Sequence, residues 1–231
     1  MRLVYASSAA TYGDGSHGFD DDFGIAPLSL LQPLNAYGWS KHLFDRRLAR
    51  KVADEAPMPP GSGKAALPPQ WAGLKFFNVY GPNEYHKGSM QSVIARNFPR
   101  VQAGEPLQLF RSYREDYADG GQLRDFIYVR DCIDVMEWLL AEPLVSGLFN
   151  VGTGHARSWL DLAGSLFTAC GHPRNVHFID MPQTLQSRYQ YFTEARMQRL
   201  HDAGYRGPFT GLEDGVSDYV RRYLAASDPY L

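Results

Sequence analysis

Residues 34–41 read LNAYGWSK and place a tyrosine four residues before a lysine. We predict a helix over 35–53, and positions i and i+4 of a helix share a face. Tyr37 and Lys41 can therefore point at the same ligand. A free tyrosine is too weakly acidic to act as a base at neutral pH, but an adjacent ammonium favours the phenolate. The pair predicts a proton-transfer device, although such pairs also occur on solvated helix faces.

Two apolar segments flank this helix. Residues 3–13 (LVYASSAATYG) begin as a strand and continue into small hydroxyl residues, and residues 74–82 (LKFFNVYGP) contain a second strand that ends in a turn. We place the strands at 2–6 and 72–78. Strands that alternate with helices predict an α/β fold with a parallel sheet.

Later segments continue this alternation. A helix is predicted over 90–102, and Ser158 is predicted to cap a helix with an apolar face. Thr193 is predicted to cap another helix that ends at Gly204. A last helix is predicted over 212–225.

The order of strand with serine, helix with YxxxK, and strand with NVYGP resembles the extended short-chain dehydrogenase/reductase family of nucleotide-sugar enzymes. Three further segments narrow the resemblance to the epimerases of ADP-glycero-manno-heptose within that family. They are 84–90 (EYHKGSM), 124–129 (RDFIYV) and 188–193 (RYQYFT). The resemblance runs from Leu3 to about Leu224.

The resemblance implies a Rossmann-like parallel sheet with a smaller α/β lobe that binds the substrate. Residues 1–81 and 126–154 would form the dinucleotide-binding part, and 82–125 and 155–231 the nucleotide-sugar lobe. The chain begins at the fourth strand of the family pattern. We therefore expect an N-terminally truncated copy without the Gly-rich loop and without the residue that selects NAD or NADP. Whether the chain is active alone stays open.

The resemblance also implies a reaction, the inversion of C6″ of ADP-D-glycero-β-D-manno-heptose for lipopolysaccharide core biosynthesis. A tightly held NADP, with NAD as the alternative, would accept and return a hydride. Each half-reaction also moves a proton, so acid/base groups must reach the carbon from two sides. The resemblance assigns these roles to Tyr37 and Lys87. It assigns Lys41, Val79 and Lys87 to the cofactor, and the alternative for Lys87 is an exposed loop lysine.

Nine positions match substrate contacts of the family. Among them Arg124 has the clearest physical case, because a guanidinium can grip a diphosphate with paired hydrogen bonds. Its alternative is a salt bridge to Asp125 or to the acidic loop 115–119. The nine positions are Ser8, Asn78, Ser89, Arg96, Phe110, Arg111, Ser112, Arg124 and Tyr189.

Some of these positions also have ordinary structural explanations. Ser8 could satisfy backbone groups at the end of its strand, and Asn78 could be a turn residue. Arg111 stands where the family has an acidic residue. Arg96 replaces a family histidine and could bind phosphate or simply be solvated.

Two glycine-rich patterns do not predict nucleotide binding. Residues 13–18 form a formal GxGxxG, but they lie six residues after the strand, and three aspartates follow that would repel a phosphate. We interpret this segment as a flexible acidic loop. Residues 61–64 (GSGK) lack the first Gly and the final Ser or Thr of a P-loop. They lie in a Pro-rich segment, 55–70, that predicts a surface insertion, and 112–122 is a second long loop.

The bulk composition limits the function classes. The chain has 231 residues, 44% apolar residues and a net charge of −2, which allows one or two domains and does not indicate a nucleic-acid or membrane partner. Cys132 and Cys170 form no disulfide pattern, which favours a cytoplasmic protein. The histidines show no metal-ligand spacing.

The resemblance implies a homo-oligomer in the full-length form.

Two rival hypotheses stay open. The first is another extended nucleotide-sugar enzyme, such as a UDP-hexose 4-epimerase or a dTDP-glucose dehydratase, against which HKGSM and the RYQYFT segment speak. The second is an inactive remnant that only binds nucleotide sugars, which the missing phosphate loop would favour.

Overall fold

The computed structural model describes residues 2–54, 67–186 and 189–230. The predicted insertion over 55–70 lies largely outside the described residues, as do the GSGK pattern and Arg188. The chain divides into two compact units, and the domain boundaries predicted from the sequence stay a prediction. The first unit consists of Met1–Phe77, Asp134–Val151 and Ala195–Gly207, and the second of Asn78–Ile133, Gly152–Glu194 and Pro208–Leu231.

Strands and helices alternate along most of the described chain, and none of the described helices is long and apolar enough to cross a membrane. The strands are β1 (Leu3–Ser8), β2 (Trp71–Phe76), β3 (Asn78–Tyr80), β4 (Leu107–Phe110), β5 (Leu123–Arg124), β6 (Phe126–Tyr128), β7 (Gly147–Val151), β8 (Arg157–Ser158) and β9 (Val176–Ile179). The helices are α1 (Ile25–Leu30), α2 (Ala36–Asp54), α3 (Val93–Gln102), α4 (Val129–Ala141), α5 (Trp159–Ala169), α6 (Gln183–Gln186), α7 (Gln198–Asp202) and α8 (Leu212–Tyr219).

A three-stranded parallel sheet forms the centre of the first unit, with the order β1–β2–β7. The central strand β2 is buried from Trp71 to Lys75, as expected for a parallel strand that is covered on both faces. Gly73 is required there, because a Cβ would lie 2.4 Å from the ring of Tyr5. The predicted α/β fold with a parallel sheet is confirmed.

Helix α2 packs against the turn that follows β1, the 3₁₀ segment Ala9–Tyr12. Asn35 caps the helix, since its side-chain oxygen accepts a hydrogen bond of 2.8 Å from the Gly38 amide. A Cβ at position 38 would lie 2.7 Å from the carbonyl oxygen of Ala10. Glycine therefore permits the close approach of α2 to this turn, and the predicted helix over 35–53 is confirmed within one residue.

The strand predicted over 72–78 is wrong in one respect, because it is two strands. The Phe77 amide donates to the carbonyl of Val151 at 3.1 Å, within the first unit. The next amide, that of Asn78, donates to the carbonyl of Asp125 at 3.0 Å, and β3 then pairs in parallel with β6. Both halves are apolar, so the local sequence does not mark the change of partner.

Helices α3, α5 and α8 share the hydrophobic core of the second unit with β3, β4 and β6. The predicted cap at Ser158 is confirmed as a capping box, in which Ser158 and Asp161 bond each other's backbone amides at 3.0 Å. Leu162 and Leu166 are fully or nearly fully buried in this core. The predicted last helix is also confirmed, since α8 continues into a π-helical turn, Val220–Leu224.

Two predicted helix starts are wrong. Residues 90–92 precede α3, because the Ser92 hydroxyl caps it by accepting from the Ala95 amide at 3.2 Å. Thr193 is not a cap, since its buried hydroxyl has no hydrogen-bond partner among the described residues, and its amide donates to the carbonyl of Leu123 at 3.2 Å. Helix α7 instead begins at Gln198. In the second case a pairing with a distant segment takes precedence over a local capping preference.

The interpretation of residues 13–22 as a flexible acidic loop is also corrected. Asp21 is only 3% exposed, and its carboxylate accepts from the Asn150 amide at 2.7 Å. The Asn150 side chain donates to the carbonyl of Phe19, which packs against Tyr12 with ring centres 5.4 Å apart. Burial raises the pKa of Asp21 to about 6. The loop is therefore anchored to the core of the first unit through Phe19 and Asp21, while residues 14–18 are exposed or half-buried.

His42 of α2 is fully buried, and neither ring nitrogen has a hydrogen-bond partner among the described residues. Burial, followed by the charges of Lys75 and Arg46, lowers its pKa to about 4. The folded state thus binds a proton less readily than the unfolded state, in which the pKa is 6.5. The resulting stability is present above pH 6.5 and is lost as the pH falls towards 4.

We expect His42→Leu to raise the free energy of unfolding at pH 7 by about 1–2 kcal/mol, because two unsatisfied polar atoms leave the core. The gain should be larger at pH 5, because protonation of His42 in the unfolded state then stabilises that state of the wild type. Urea unfolding at both pH values measures it, and His177→Leu, at an exposed position of β9, is the matched control. A His42→Leu protein less stable than the wild type at both pH values would contradict this account.

Candidate active site

The predicted pair on α2 lies at the surface of the first unit. Tyr37 is 56% exposed, and the Lys41 ammonium lies 5.8 Å from the centre of the Tyr37 ring. The same ammonium donates a hydrogen bond of 3.0 Å to the carbonyl of Ala6 in β1. An ammonium has three N–H groups, and Ala6 is its one hydrogen-bond acceptor among the described residues. Tyr37 and Lys41 are therefore brought together, with donors still available for a ligand.

Ser8 ends β1 at the carboxyl edge of the parallel sheet, where ligands bind in α/β folds. Its hydroxyl oxygen accepts from the Ala10 amide at 3.1 Å, and its carbonyl accepts from the Thr11 hydroxyl at 2.8 Å. The alternative structural role, a serine that satisfies backbone groups, is thus present. A role in contacting a substrate stays a prediction.

The described residues of the first unit offer groups that suit the nicotinamide ribose of a dinucleotide, but they do not offer a phosphate loop for its pyrophosphate. Tyr37 and Lys41 present a hydroxyl and an ammonium, which suit a ribose. The glycines at 13–18 do not form a phosphate loop, because no helix begins until Ile25. A Cβ at Gly13 would lie 2.0 Å from the carbonyl oxygen of Gln32, so this glycine allows close backbone packing.

In the second unit, Lys87 and Ser89 are exposed on the 3₁₀ segment Tyr85–Met90. Gly88 between them has φ +54°, a left-handed conformation that turns the chain at this point. The Ser89 carbonyl accepts a long hydrogen bond of 3.5 Å from Arg96. The exposed side chain of Lys87 can reach a ligand. Its role as an acid/base group stays a prediction.

A buried carboxylate holds the two ends of this segment. Glu84 accepts from the Ser92 amide at 2.5 Å, from the Ser92 hydroxyl at 2.6 Å and from the Tyr219 hydroxyl at 3.0 Å. The sequence analysis missed this role, although Glu84 opens the EYHKGSM segment. The loop that carries Lys87 is therefore closed by hydrogen bonds to one side chain.

A cavity of about 500 Å³ lies in the second unit. It brings together three predicted substrate residues, Arg96, Phe110 and Tyr189, and the rings of the last two meet edge to face at 6.3 Å. It also reveals residues that sequence reasoning missed, above all Trp159. The lining residues are Val93, Arg96, Asn97, Arg100, Gln108, Leu109, Phe110, Trp159, Ile179 and Tyr189.

Arg124 lies against the aromatic residues of this cavity. Its guanidinium carbon is 5.2 Å from the Tyr189 ring centre and 5.8 Å from that of Trp159. It donates to the carbonyls of Leu123, at 2.8 Å, and Gln190. Burial lowers its pKa, and within the described parts of the chain no carboxylate forms an ion pair with it. A buried cation without a counter-charge favours an anionic ligand.

Arg111 and Ser112 are not among the residues that line the cavity. Arg111 forms ion pairs with Asp119 at 3.1 Å and Asp180 at 3.6 Å. Asp119 also accepts from the Ser112 amide at 2.7 Å. Both predicted residues are thus engaged with the carboxylate of Asp119, and a contact with substrate stays a prediction for each.

Asn78 and Val79 lie in β3, where Val79 pairs with Ile127 of β6. Next to this strand pair, Asp125 accepts from the Thr153 amide and hydroxyl, both at 2.7 Å, and from the Gly154 amide at 2.9 Å. This carboxylate fixes the turn after β7 and was missed by the sequence analysis. The predicted roles of Asn78 and Val79 stay predictions.

A sequence model of the NAD dependent epimerase/dehydratase family matches residues 1–152. The chain belongs to this family. The match covers more than half of the 231 residues, and it includes the strand with Ser8, the helix with Tyr37 and Lys41, and the segment with Lys87. The resemblance predicted from the sequence is confirmed.

Curated relatives extend the similarity over the whole chain. An ADP-L-glycero-D-manno-heptose-6-epimerase of Nitratidesulfovibrio vulgaris (strain DP4) is 53% identical over 230 residues, which are 100% of this chain and 66% of the relative. The ADP-L-glycero-D-manno-heptose-6-epimerase of Fusobacterium nucleatum subsp. nucleatum is 46% identical over 237 residues, which are 100% of this chain and 68% of the relative. The chain thus spans about two thirds of the length of these family members.

Solved structures of family enzymes have a similar fold. A crystal structure of the Helicobacter pylori ADP-L-glycero-D-manno-heptose-6-epimerase is 27% identical with a TM-score of 0.66, and the match covers 96% of this chain and 59% of that one. The Thermus thermophilus UDP-glucose 4-epimerase in complex with NAD is 24% identical with a TM-score of 0.68. The match covers 95% of this chain and 62% of that one. The predicted Rossmann-like fold class is confirmed.

We expect Glu84→Ala to loosen the segment that carries Lys87. Three donors lose their acceptor, so the free energy of unfolding should fall by about 3 kcal/mol, and amides over 85–92 should exchange faster with solvent. Hydrogen exchange followed by mass spectrometry measures the effect. Tyr219→Phe removes only one of the three hydrogen bonds and should have the smaller effect. Unchanged exchange over 85–92 in Glu84→Ala would show that the carboxylate does not hold this segment.

Proposed function

We propose that this chain carries the acid/base and substrate-binding residues of an ADP-glycero-manno-heptose 6-epimerase, an isomerase that acts in lipopolysaccharide core biosynthesis. The observation that carries the proposal is the exposed Tyr37 with the Lys41 ammonium 5.8 Å from its ring centre. The identity of 53% to a relative of that name supports the choice of substrate. Tyr37, Lys41 and Lys87 form the proposed catalytic set.

The reaction inverts the carbinol carbon C6″ of the heptose in two half-reactions. A bound nicotinamide dinucleotide would supply the hydride acceptor and return the hydride to the opposite face. In the first half, one of Tyr37 and Lys87 removes the hydroxyl proton as the C6″–H bond breaks and a carbonyl forms. In the second half, the other residue delivers a proton to the carbonyl oxygen as the C6″–H bond forms again.

Lys41 has a supporting role in this scheme. Its ammonium lies 5.8 Å from the centre of the Tyr37 ring and would stabilise negative charge on the Tyr37 oxygen while that residue moves a proton. Its remaining N–H groups would hold the nicotinamide ribose. The proposed cofactor is NADP, with NAD as the alternative, and Val79 and Lys87 are the further proposed contacts.

The cavity of the second unit is the proposed site of the ADP group. Phe110, Trp159 and Tyr189 offer apolar rings against which a base can stack, and Arg124 offers a buried positive charge to the diphosphate. The remaining proposed substrate contacts are Ser8, Asn78, Ser89, Arg96, Arg111 and Ser112. We also propose a cytoplasmic location, a homo-oligomer for the full-length form and the domain division predicted from the sequence.

We expect Tyr37→Phe and Lys87→Met each to slow epimerisation by about 10²–10⁴-fold, because each removes a general acid/base group. The purified chain is incubated with NADP and ADP-D-glycero-β-D-manno-heptose, and the epimers are separated by chromatography. Lys51→Met is the matched control, since Lys51 lies in the last turn of α2. It should retain wild-type turnover.

Three outcomes would count against the proposal in different ways. Near-normal turnover in both Tyr37→Phe and Lys87→Met would overturn the assignment of the two roles. Turnover of UDP-galactose in place of ADP-heptose would favour the rival nucleotide-sugar epimerase. A folded wild-type chain with no turnover and no NADP binding would favour the inactive remnant.

A further inference from the structure

Helix α2 carries a third functional group on the face that bears Tyr37 and Lys41. Asp45 follows Lys41 by four residues, so the three side chains succeed one another along one side of the helix. Tyr37 is 56% exposed, whereas the side chain of Asp45 is completely buried. This side of α2 therefore runs from solvent into the interior of the first unit.

Asp45 is held by strand β1. One carboxylate oxygen accepts from the Tyr5 hydroxyl at 2.9 Å, and the other accepts from the Ser7 hydroxyl at 2.7 Å. Lys41, one turn earlier on α2, donates to the carbonyl of Ala6 between these two residues. Two successive turns of the helix are thus bonded to three consecutive residues of β1.

Asp45 is also paired with Lys75 at the centre of the sheet. The ammonium lies 3.6 Å from the carboxylate, and neither side chain is exposed. Lys75 lies in β2, directly beside Ser7 in the register of the sheet. Burial lowers the pKa of Lys75 to about 8 and raises that of Asp45, and the two charges oppose these effects.

Lys75 has two further contacts, both with the turn after β1. Its ammonium donates to the Thr11 hydroxyl at 2.6 Å and lies 4.3 Å from the centre of the Tyr12 ring. This is the turn against which Gly38 of α2 packs. The buried pair therefore connects β1, β2, the turn and α2 through directional contacts.

Stability alone does not account for this pair. Removing two charges from water is costly, and apolar residues of similar size often stabilise a protein equally well or better. The pair instead fixes the orientation of α2 about its axis. Rotation of the helix would break the bonds to Tyr5 and Ser7 and would separate Asp45 from Lys75. An apolar contact would tolerate such a rotation.

We propose that Asp45 and Lys75 are positioning residues, which fix the rotation of α2 and thereby the placement of Tyr37 and Lys41. This inference rests on the proposed function for its catalytic consequence. Its structural part, the fixed orientation of α2, stands on the contacts of the first unit alone. Neither residue is proposed to touch the substrate.

The test replaces the polar cluster by apolar residues in the full chain. Lys75→Met alone would leave a buried carboxylate unpaired, and the protein could unfold. The triple variant Ser7→Ala/Asp45→Leu/Lys75→Met removes the carboxylate together with its Ser7 and Lys75 partners, and it leaves the part-buried Tyr5 hydroxyl as the donor that loses its acceptor. The single variant Lys75→Arg keeps the charge and is the conservative control, and Leu48→Ala, at a buried apolar position of α2, controls for a general loss of packing.

Two measurements are made on each variant, hydrogen exchange by mass spectrometry and the Michaelis parameters of epimerisation. In the triple variant, amides over 36–45 should exchange at least about tenfold faster, while those of 71–76 stay protected. Its kcat should fall about 10²-fold with KM little changed, since misplacement by about 1 Å has that effect. The single variant Lys75→Arg should keep most of the wild-type protection and kcat, and Leu48→Ala should not reproduce the fall in kcat.

The result that would overturn the inference is a folded triple variant with wild-type exchange over 36–45. Faster exchange with an unchanged kcat would overturn the positioning role as well. A wild-type chain without turnover would count against the proposed function only. In that case faster exchange over 36–45 in the triple variant, with exchange near the wild-type rate in Lys75→Arg, would still support the positioning of α2.

Discussion

The docking of α2 on the sheet of the first unit is the constraint on which the candidate site depends. Gly38 allows the helix backbone to approach the turn after β1, where any Cβ would lie 2.7 Å from a carbonyl oxygen. Asp45 then bonds to β1 and pairs with Lys75 of β2. The apolar face of a helix selects the side that is buried, and the hydrogen bonds and charge of Asp45 restrict the rotation of α2 further. We infer that these buried contacts determine the positions of the exposed Tyr37 and Lys41.

The second unit uses buried charge in a comparable way. Glu84 accepts three hydrogen bonds from Ser92 and Tyr219, and Asp125 accepts three from Thr153 and Gly154. Each carboxylate thereby fixes the backbone of a loop or turn. Arg124 differs from them, because its partners are carbonyl groups and aromatic rings. Because no carboxylate of the described ranges 2–54, 67–186 and 189–230 forms an ion pair with it, its charge supports the proposal that the cavity beside it binds a diphosphate.

The sequence predicted those features that depend on local signals. The helix with Tyr37 and Lys41 and the cap at Ser158 were correct, since spacing and capping chemistry act over a few residues. The cap at Thr193 was wrong, because its amide pairs with Leu123, seventy residues earlier. The role of Asp21 was missed for a similar reason, as its partner is Asn150. No local pattern indicates a partner so distant in the chain.

We propose that this chain inverts C6″ by removing a hydride and returning the same hydride to the opposite face. The most direct measurement uses ADP-D-glycero-β-D-manno-heptose with deuterium at C6″, incubated in ordinary water with the purified chain and NADP. The account predicts that the L-glycero product retains the deuterium at C6″, because a hydride held in the site does not exchange with solvent. Loss of the deuterium to water, or no formation of the product by a folded chain, would contradict it.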